Sequence, residues 1–160
     1  MSMIGNFYPL SSVQAEMLKA NQEGVEEFIY SDEVQKSEAL LDIDKAWHAL
    51  HFILTGSAWE SEHPLNIVVL GGEEIGKDAG YGPARLVSPD YVIEVNEALA
   101  GISTVDFESK FDAEKLNKEE IYPNGWSSED VRYISSAFEE VKKLYKSASE
   151  EREYVLLFIN

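Results

Sequence analysis

The segment Leu41–Gly56, LDIDKAWHALHFILTG, carries two of the three histidines in this chain. Read as one α-helix, with Asp42 as its cap and Gly56 as its stop, it turns about 100° per residue. Asp44, His48, His51 and Thr55 then share an arc of about 60° beside an apolar arc of Ile43, Ala46, Trp47, Leu50, Ile53 and Leu54. A carboxylate four residues from an imidazole can hold a ring nitrogen and favour the protonated ring. Two imidazoles on one flank suit three kinds of chemistry. They can act as general acid and base, as pH-sensitive hydrogen-bonding groups in a pocket, or, with a carboxylate and His63, as metal ligands. The same stripe can also be a polar network tying the helix to its neighbours. His-x-x-His is not the HExxH metal motif, and a chain without cysteine has neither a thiolate zinc site nor a cysteine nucleophile.

A second segment imitates a phosphate-binding loop. Gly71–Lys77, GGEEIGK, satisfies G-x-x-x-x-G-K, but Asp78 stands where a Ser or Thr would hold magnesium. Glu73 and Glu74 put negative charge where phosphates would lie, and Gly80, Gly82 and Pro83 prevent the helix whose N-terminus the anion needs. The continuation, Gly80-Tyr81-Gly82-Pro83-Ala84-Arg85, predicts a tight irregular loop that can approach another element closely. Tyr81 and Arg85 are expected to project toward the histidine stripe. Arg85 is the natural anchor for a carboxylate, either a ligand's or one of the protein's own. No G-x-S-x-G nucleophile elbow is present.

The elements that must position these residues follow from punctuation and periodicity. Met3–Tyr8 predicts a strand broken at Pro9, and Ser11-x-x-Gln14 a capping box for a helix through about Asn21. Residues 24–36 predict a short helix and a mobile link, and residues 57–65 a loop. Asn66–Leu70, NIVVL, predicts a buried strand, with Leu86 and Val87 forming another short one. Ser88-Pro89-Asp90 opens a helix that ends before Gly101. Thr104–Glu120 predicts one or two short acidic helices, and Ile121–Trp126 a turn with aromatic anchors. Ser127-x-x-Asp130 opens the longest helix. Tyr154–Ile159, YVLLFI, predicts a closing strand central in its sheet. The sum is one α+β domain over residues 1–160, with several helices around a small mixed sheet.

Composition bounds the function. The 160 residues are 44% hydrophobic, enough for a real core, with a net charge of −17. That balance repels phosphate backbones and argues against nucleic acid, while it can steer the chain toward a basic protein partner. No apolar run reaches the ~18 residues of a membrane helix, and MSMIGNFYPL lacks a basic region before an apolar one. A cytoplasmic protein without a membrane role is expected.

LDIDKAWHALHFILTG, LNIVVLGG, GYGPARLVSP and IYPNGW, in this order, resemble the YfbM-like family of small bacterial proteins. The resemblance spans nearly the whole chain and implies a single α+β domain in the bacterial cytosol. It carries no activity, substrate or cofactor, and so no catalytic residues. The leading expectation is a non-enzymatic binding domain using a groove between the 42–55 helix and the 80–85 loop, with Asp44, His48, His51, Thr55, Tyr81, Arg85 and Trp126 as pocket residues. The alternatives are an enzyme with a histidine acid/base acting on a small anionic substrate, and a metal-binding domain. The leading expectation needs no cofactor and no metal.

Overall fold

The computed structural model describes residues 2–160. Its centre is the C-terminal strand. β1 (Gly5–Leu10), α1 (Ser12–Ala20), α2 (Val25–Ile29), α3 (Asp32–Gln35) and β2 (Leu41–Asp42) come first. They are followed by α4 (Trp47–Thr55), α5 (Ile67–Leu70), β3 (Glu73–Asp78), β4 (Pro83–Val87) and α6 (Pro89–Ala100). α7 (Thr104–Ser109), α8 (Ala113–Lys118), α9 (Val131–Glu150) and β5 (Tyr154–Ile159) complete the chain. The sheet order is β2-β1-β5-β4-β3, so YVLLFI is the middle strand of five. No described helix is long and apolar enough to cross a membrane.

Both sheet faces are buried, which is why the middle strand is apolar at consecutive positions. Phe7, Leu157 and Arg85 stand in cross-strand register, as do Tyr8, Leu156 and Leu86 one residue along. The first row faces the larger core, where Phe7, Val87, Val155 and Leu157 meet α4 to α9. The second row faces a smaller core with Leu10, Leu18, Val25, Ile29 and Val34. α9 closes the larger core with Ile134, Phe138, Val141, Tyr145 and Ala148, spaced three or four apart as a helical stripe requires.

Several expectations are corrected. The sheet is antiparallel throughout, not mixed. β1 runs through Pro9, which pairs with Val155. The short β2 reaches only Asn6 and Phe7, so Pro9 lies on a free edge where its missing N–H costs nothing. Residues 24–36 are not a link: α2 and α3 are fixed by the buried Val25, Ile29 and Val34. NIVVL is helical over Ile67–Leu70, wedged so that Ile67, Val68 and Val69 are all buried. A β-branched run this short has no periodicity to separate strand from helix. Gly71 closes that turn, since a Cβ there would sit 2.4 Å from the Ile67 Cα. The phosphate-loop mimic is an edge strand, β3, paired with β4 up to a bulge between Ile75 and Asp78. Only Ile75 of this strand is buried, and the acids on its exposed positions protect the sheet edge.

Candidate functional site

Helix α4 is shorter than its sequence pattern. Leu41–Asp42 is strand, and Asp44–Ala46 is a 3₁₀ turn in which Asp44 takes a left-handed φ of 53°. Asp44 is therefore off the helix and cannot orient His48. Its Oδ2 accepts from the Tyr133 hydroxyl at 2.8 Å, and that hydroxyl accepts from Lys45 N at 3.1 Å. Burial, and then the Asp44 carboxylate, push the Tyr133 hydroxyl well above its ordinary range. Asp42 caps neither the 3₁₀ turn nor α4, contrary to expectation; it ends β2, and its Oδ1 accepts from Asp44 N at 2.7 Å.

α4 is buried on every side from Trp47 to Leu54, including His48 and His51. His48 accepts the Tyr122 N–H at Nδ1, 2.9 Å away, so its proton lies on Nε2 and is donated to the Ala58 carbonyl at 2.8 Å. His51 Nε2 donates to the next carbonyl, that of Trp59, at 2.6 Å. Its Nδ1 is buried with no hydrogen-bond partner. Burial lowers both pKa values; the carbonyl bonds oppose this, and for His51 the neighbouring His48 adds to it. Both rings are neutral fasteners for the segment after Gly56. Thr55 joins them there: its hydroxyl donates its one proton to the His51 carbonyl at 2.8 Å and accepts from Ser57 N at 3.1 Å.

The segment so fastened makes one wall of a cleft of about 750 Å³. Trp59, 60% exposed, stands with its ring 6.4 Å from Trp47 and 4.5 Å from His48. Trp47 reaches the cleft from the start of α4, its indole N–H donating to the Met3 carbonyl at 3.0 Å. β1 approaches it closely because position 5 is glycine: a Cβ there would lie 2.7 Å from the Trp47 Cβ. The opposite wall is the β3–β4 hairpin, with Tyr81 in the turn and Arg85 on β4. Asp78 holds this turn, its Oδ1 accepting from Gly80 N at 2.7 Å and Gly82 N at 3.1 Å. Tyr81 N donates to the Ile159 carbonyl and fixes the turn to the middle strand. Arg85 pairs at 3.5 Å with the exposed Glu74.

The segments 42–55 and 80–85 thus meet, but through Trp47, Tyr81 and Arg85. The histidines lie behind the Trp47 and Trp59 wall, Thr55 at the end of α4, and Asp44 beside α9. Trp126 is buried elsewhere, bonded through its indole to the Ile121 carbonyl and through its backbone to the Asn117 side chain. His63 pairs with Glu94 of α6, apart from the other two histidines. Among the described residues, no group of three or more His, Asp or Glu is placed to share a metal ion. Sequence reasoning missed Trp59 and Glu60, both lining the cleft, and treated Trp47 only as core. A tryptophan set among Ser57, Glu60, Ser61 and Glu62 was the available signal, because a large apolar side chain in a polar loop needs a surface to rest on.

Residues 1–158 match the family described as "Domain of unknown function (DUF1877)". The chain is 30% identical over 135 residues to "Protein YfbM" of Escherichia coli, covering 82% of this chain and 79% of that protein. It is also similar to the crystal structure of a protein of unknown function, YfbM from Escherichia coli. That match has a TM-score of 0.75 and 25% identity, and covers 98% of this chain and 99% of that one. The chain belongs to this YfbM-like family and shares its α+β fold with the YfbM structure.

Proposed function

We propose that this member of the YfbM-like family is a non-enzymatic recognition domain of the bacterial cytosol, whose cleft takes a compact ligand with a flat apolar body and one carboxylate. The observation that carries this reading is the lining: Trp47, Trp59 and Tyr81 share one cleft with Arg85, its only basic side chain, and with Glu60. Aromatic faces suit a flat apolar body, and a guanidinium suits a carboxylate bidentately. The exposed Glu74 is a weak competitor, since surface ion pairs of this kind contribute ~0–1 kcal/mol. Nothing comparable supports acid/base chemistry at His48 and His51, whose rings are enclosed and engaged. No reaction is assigned to them.

A basic protein is the second reading, and the net charge of −17 is what favours it. The two readings differ in the steepness of their salt dependence. Binding of a basic partner weakens as salt is added, because screening removes the attraction. For a small carboxylate, screening weakens both the repulsion of the acidic protein and the pair with Arg85, so the two effects offset and affinity changes little. The test is a titration of aromatic carboxylates, followed by intrinsic tryptophan fluorescence at low and physiological salt, on the wild type and on Arg85→Ala and Trp59→Ala. Saturable binding lost in both variants supports the cleft. No saturable binding of any aromatic carboxylate would remove the leading reading.

A further inference from the structure

We infer that the cleft takes a small aromatic zwitterion, with an aromatic amino acid as its simplest form: Arg85 receives the carboxylate, Glu60 the ammonium, and Trp47, Trp59 and Tyr81 the ring. The inference rests on the cleft being the recognition site and names the class of ligand that fits it.

The cleft presents two opposite charges that the fold leaves apart. Arg85 comes from β4 on one wall, and Glu60 follows Trp59 on the other. The two form no ion pair with each other. The Arg85 side chain is only 29% exposed, and its contact with the Glu74 carboxylate is 3.5 Å long. That is longer than an ordinary N–H···O bond, so a largely covered guanidinium keeps nearly all of its N–H donors for another acceptor. Glu60 enters no ion pair among the described residues. Lys115 lines the groove on the outer side of the same segment, but its ammonium lies over the Phe52 ring, 5.7 Å from the centroid.

Each charge sets a condition on the ligand. A carboxylate without an ammonium gains Arg85 but meets Glu60 in the same cleft, within the field of a chain at −17. An ammonium without a carboxylate gains Glu60 and meets Arg85. A molecule that carries both is attracted at both ends, and it has no net charge for the field to repel. The aromatic lining adds to the same preference. The faces of Trp47, Trp59 and Tyr81 suit a flat ring, and they also attract an ammonium set against them. Asn66 lines the cleft too, and its Oδ1 is buried with no hydrogen-bond partner. A buried acceptor left unpaired is uncommon in a folded protein. An ammonium has several N–H groups, so one that pairs with Glu60 keeps a donor for this oxygen once the Asn66 side chain turns toward the cleft.

The experiment is isothermal titration calorimetry of the full chain at neutral pH with ligands of matched size: L-phenylalanine, hydrocinnamate, which lacks the ammonium, and phenethylamine, which lacks the carboxylate. L-tryptophan, indolepropionate and tryptamine repeat the comparison with a larger ring. On the wild type the amino acid binds about tenfold or more tightly than either of its one-charge counterparts. Glu60→Gln weakens the amino acid about tenfold and tightens the carboxylate, which is no longer repelled, while Arg85→Gln weakens both. Opposite shifts from one substitution are not what a general disturbance of the cleft produces. The inference is overturned if the carboxylate binds the wild type as tightly as the amino acid does, or if Glu60→Gln moves both ligands in the same direction. Either result leaves the recognition of aromatic carboxylates standing. Should a variant fail to fold, the wild-type order alone decides. If no ligand of either ring size binds, or only the amines bind, the recognition reading falls and the inference falls with it.

Discussion

Acid should destabilise this protein through His48 and His51 with a slope that can be calculated. Both rings have folded-state pKa values below their ordinary one, because burial disfavours the charged form. The unfolded chain therefore binds protons that the folded chain refuses once the pH falls below ~6.5. Their contribution to stability is fully present above that value. It is lost as pH falls from there toward the folded-state pKa values, and it levels off once those are passed. Each group contributes a slope of up to about 1.4 kcal/mol per pH unit, so the pair gives up to about 2.7 kcal/mol per unit. Two effects act the other way. Acidification relieves the self-repulsion of a chain at −17, and Glu153, whose pKa burial and Glu151 raise, holds a proton more firmly when folded. Comparison with His51→Gln cancels both, since neither involves that ring. Urea unfolding across about pH 7.5 to 5, read as midpoint at constant m, should show the wild type losing up to about 1.4 kcal/mol per pH unit relative to the variant. The absolute offset between the two proteins is immaterial. Parallel stability profiles would mean that His51 titrates alike in both states, and the account of an enclosed neutral ring would be wrong.

Three further outcomes follow from the packing. Tyr145→Phe removes a hydroxyl that donates to the Val68 carbonyl at 2.7 Å in the core, and should cost about 1–3 kcal/mol in denaturant unfolding. Gly5→Ala drives a methyl to 2.7 Å from the Trp47 Cβ; overpacking of about 1–3 kcal/mol and a changed tryptophan emission should appear together. Gly71→Ala sets a methyl 2.4 Å from the Ile67 Cα, and should lower the melting temperature more than Gly56→Ala, where the space is open and only the left-handed φ of 78° resists.

Sequence legibility divided along physical lines. Helix starts were readable because they are local chemistry. Ser11 with Gln14, Ser88 before Pro89, and Ser127 with Asp130 all cap as their spacing requires. The middle strand was readable because continuous apolarity leaves few other places for it. NIVVL was not, since its helical form is decided by α4, α6 and α9 closing round it. β3 was not, since glycine and acids on an exposed edge look like loop until a partner strand is present. The histidine stripe was half readable. His48 and His51 do lie on one flank of a helix, but Asp44 leaves that helix at a left-handed residue that no pattern announces. Arg85 and Tyr81 were legible as groups presented by a glycine-bounded hairpin, while Trp59 depends on which carbonyls the imidazoles capture.

That dependence gives the histidines a physical rationale. A helix buried all round must be covered on its outer flank by something, and here a segment without regular structure covers it. Such a segment carries carbonyls that no ladder satisfies, and burying them against apolar side chains would be costly. Lysine or arginine on α4 could donate to them, but would bring a permanent charge into the core. Imidazole donates a hydrogen bond while neutral, has a flat body that stacks on Trp47 with ring centroids 4.9 Å apart, and keeps a second nitrogen for the Tyr122 amide. One residue type thus meets the needs of packing, carbonyl satisfaction and a three-way junction. The same choice fixes the tautomer of His48, because a proton on Nδ1 would face the Tyr122 N–H that this nitrogen now accepts. The cleft depends on that junction for one of its walls, since Trp59 stands where the imidazoles hold the consecutive carbonyls of residues 58 and 59.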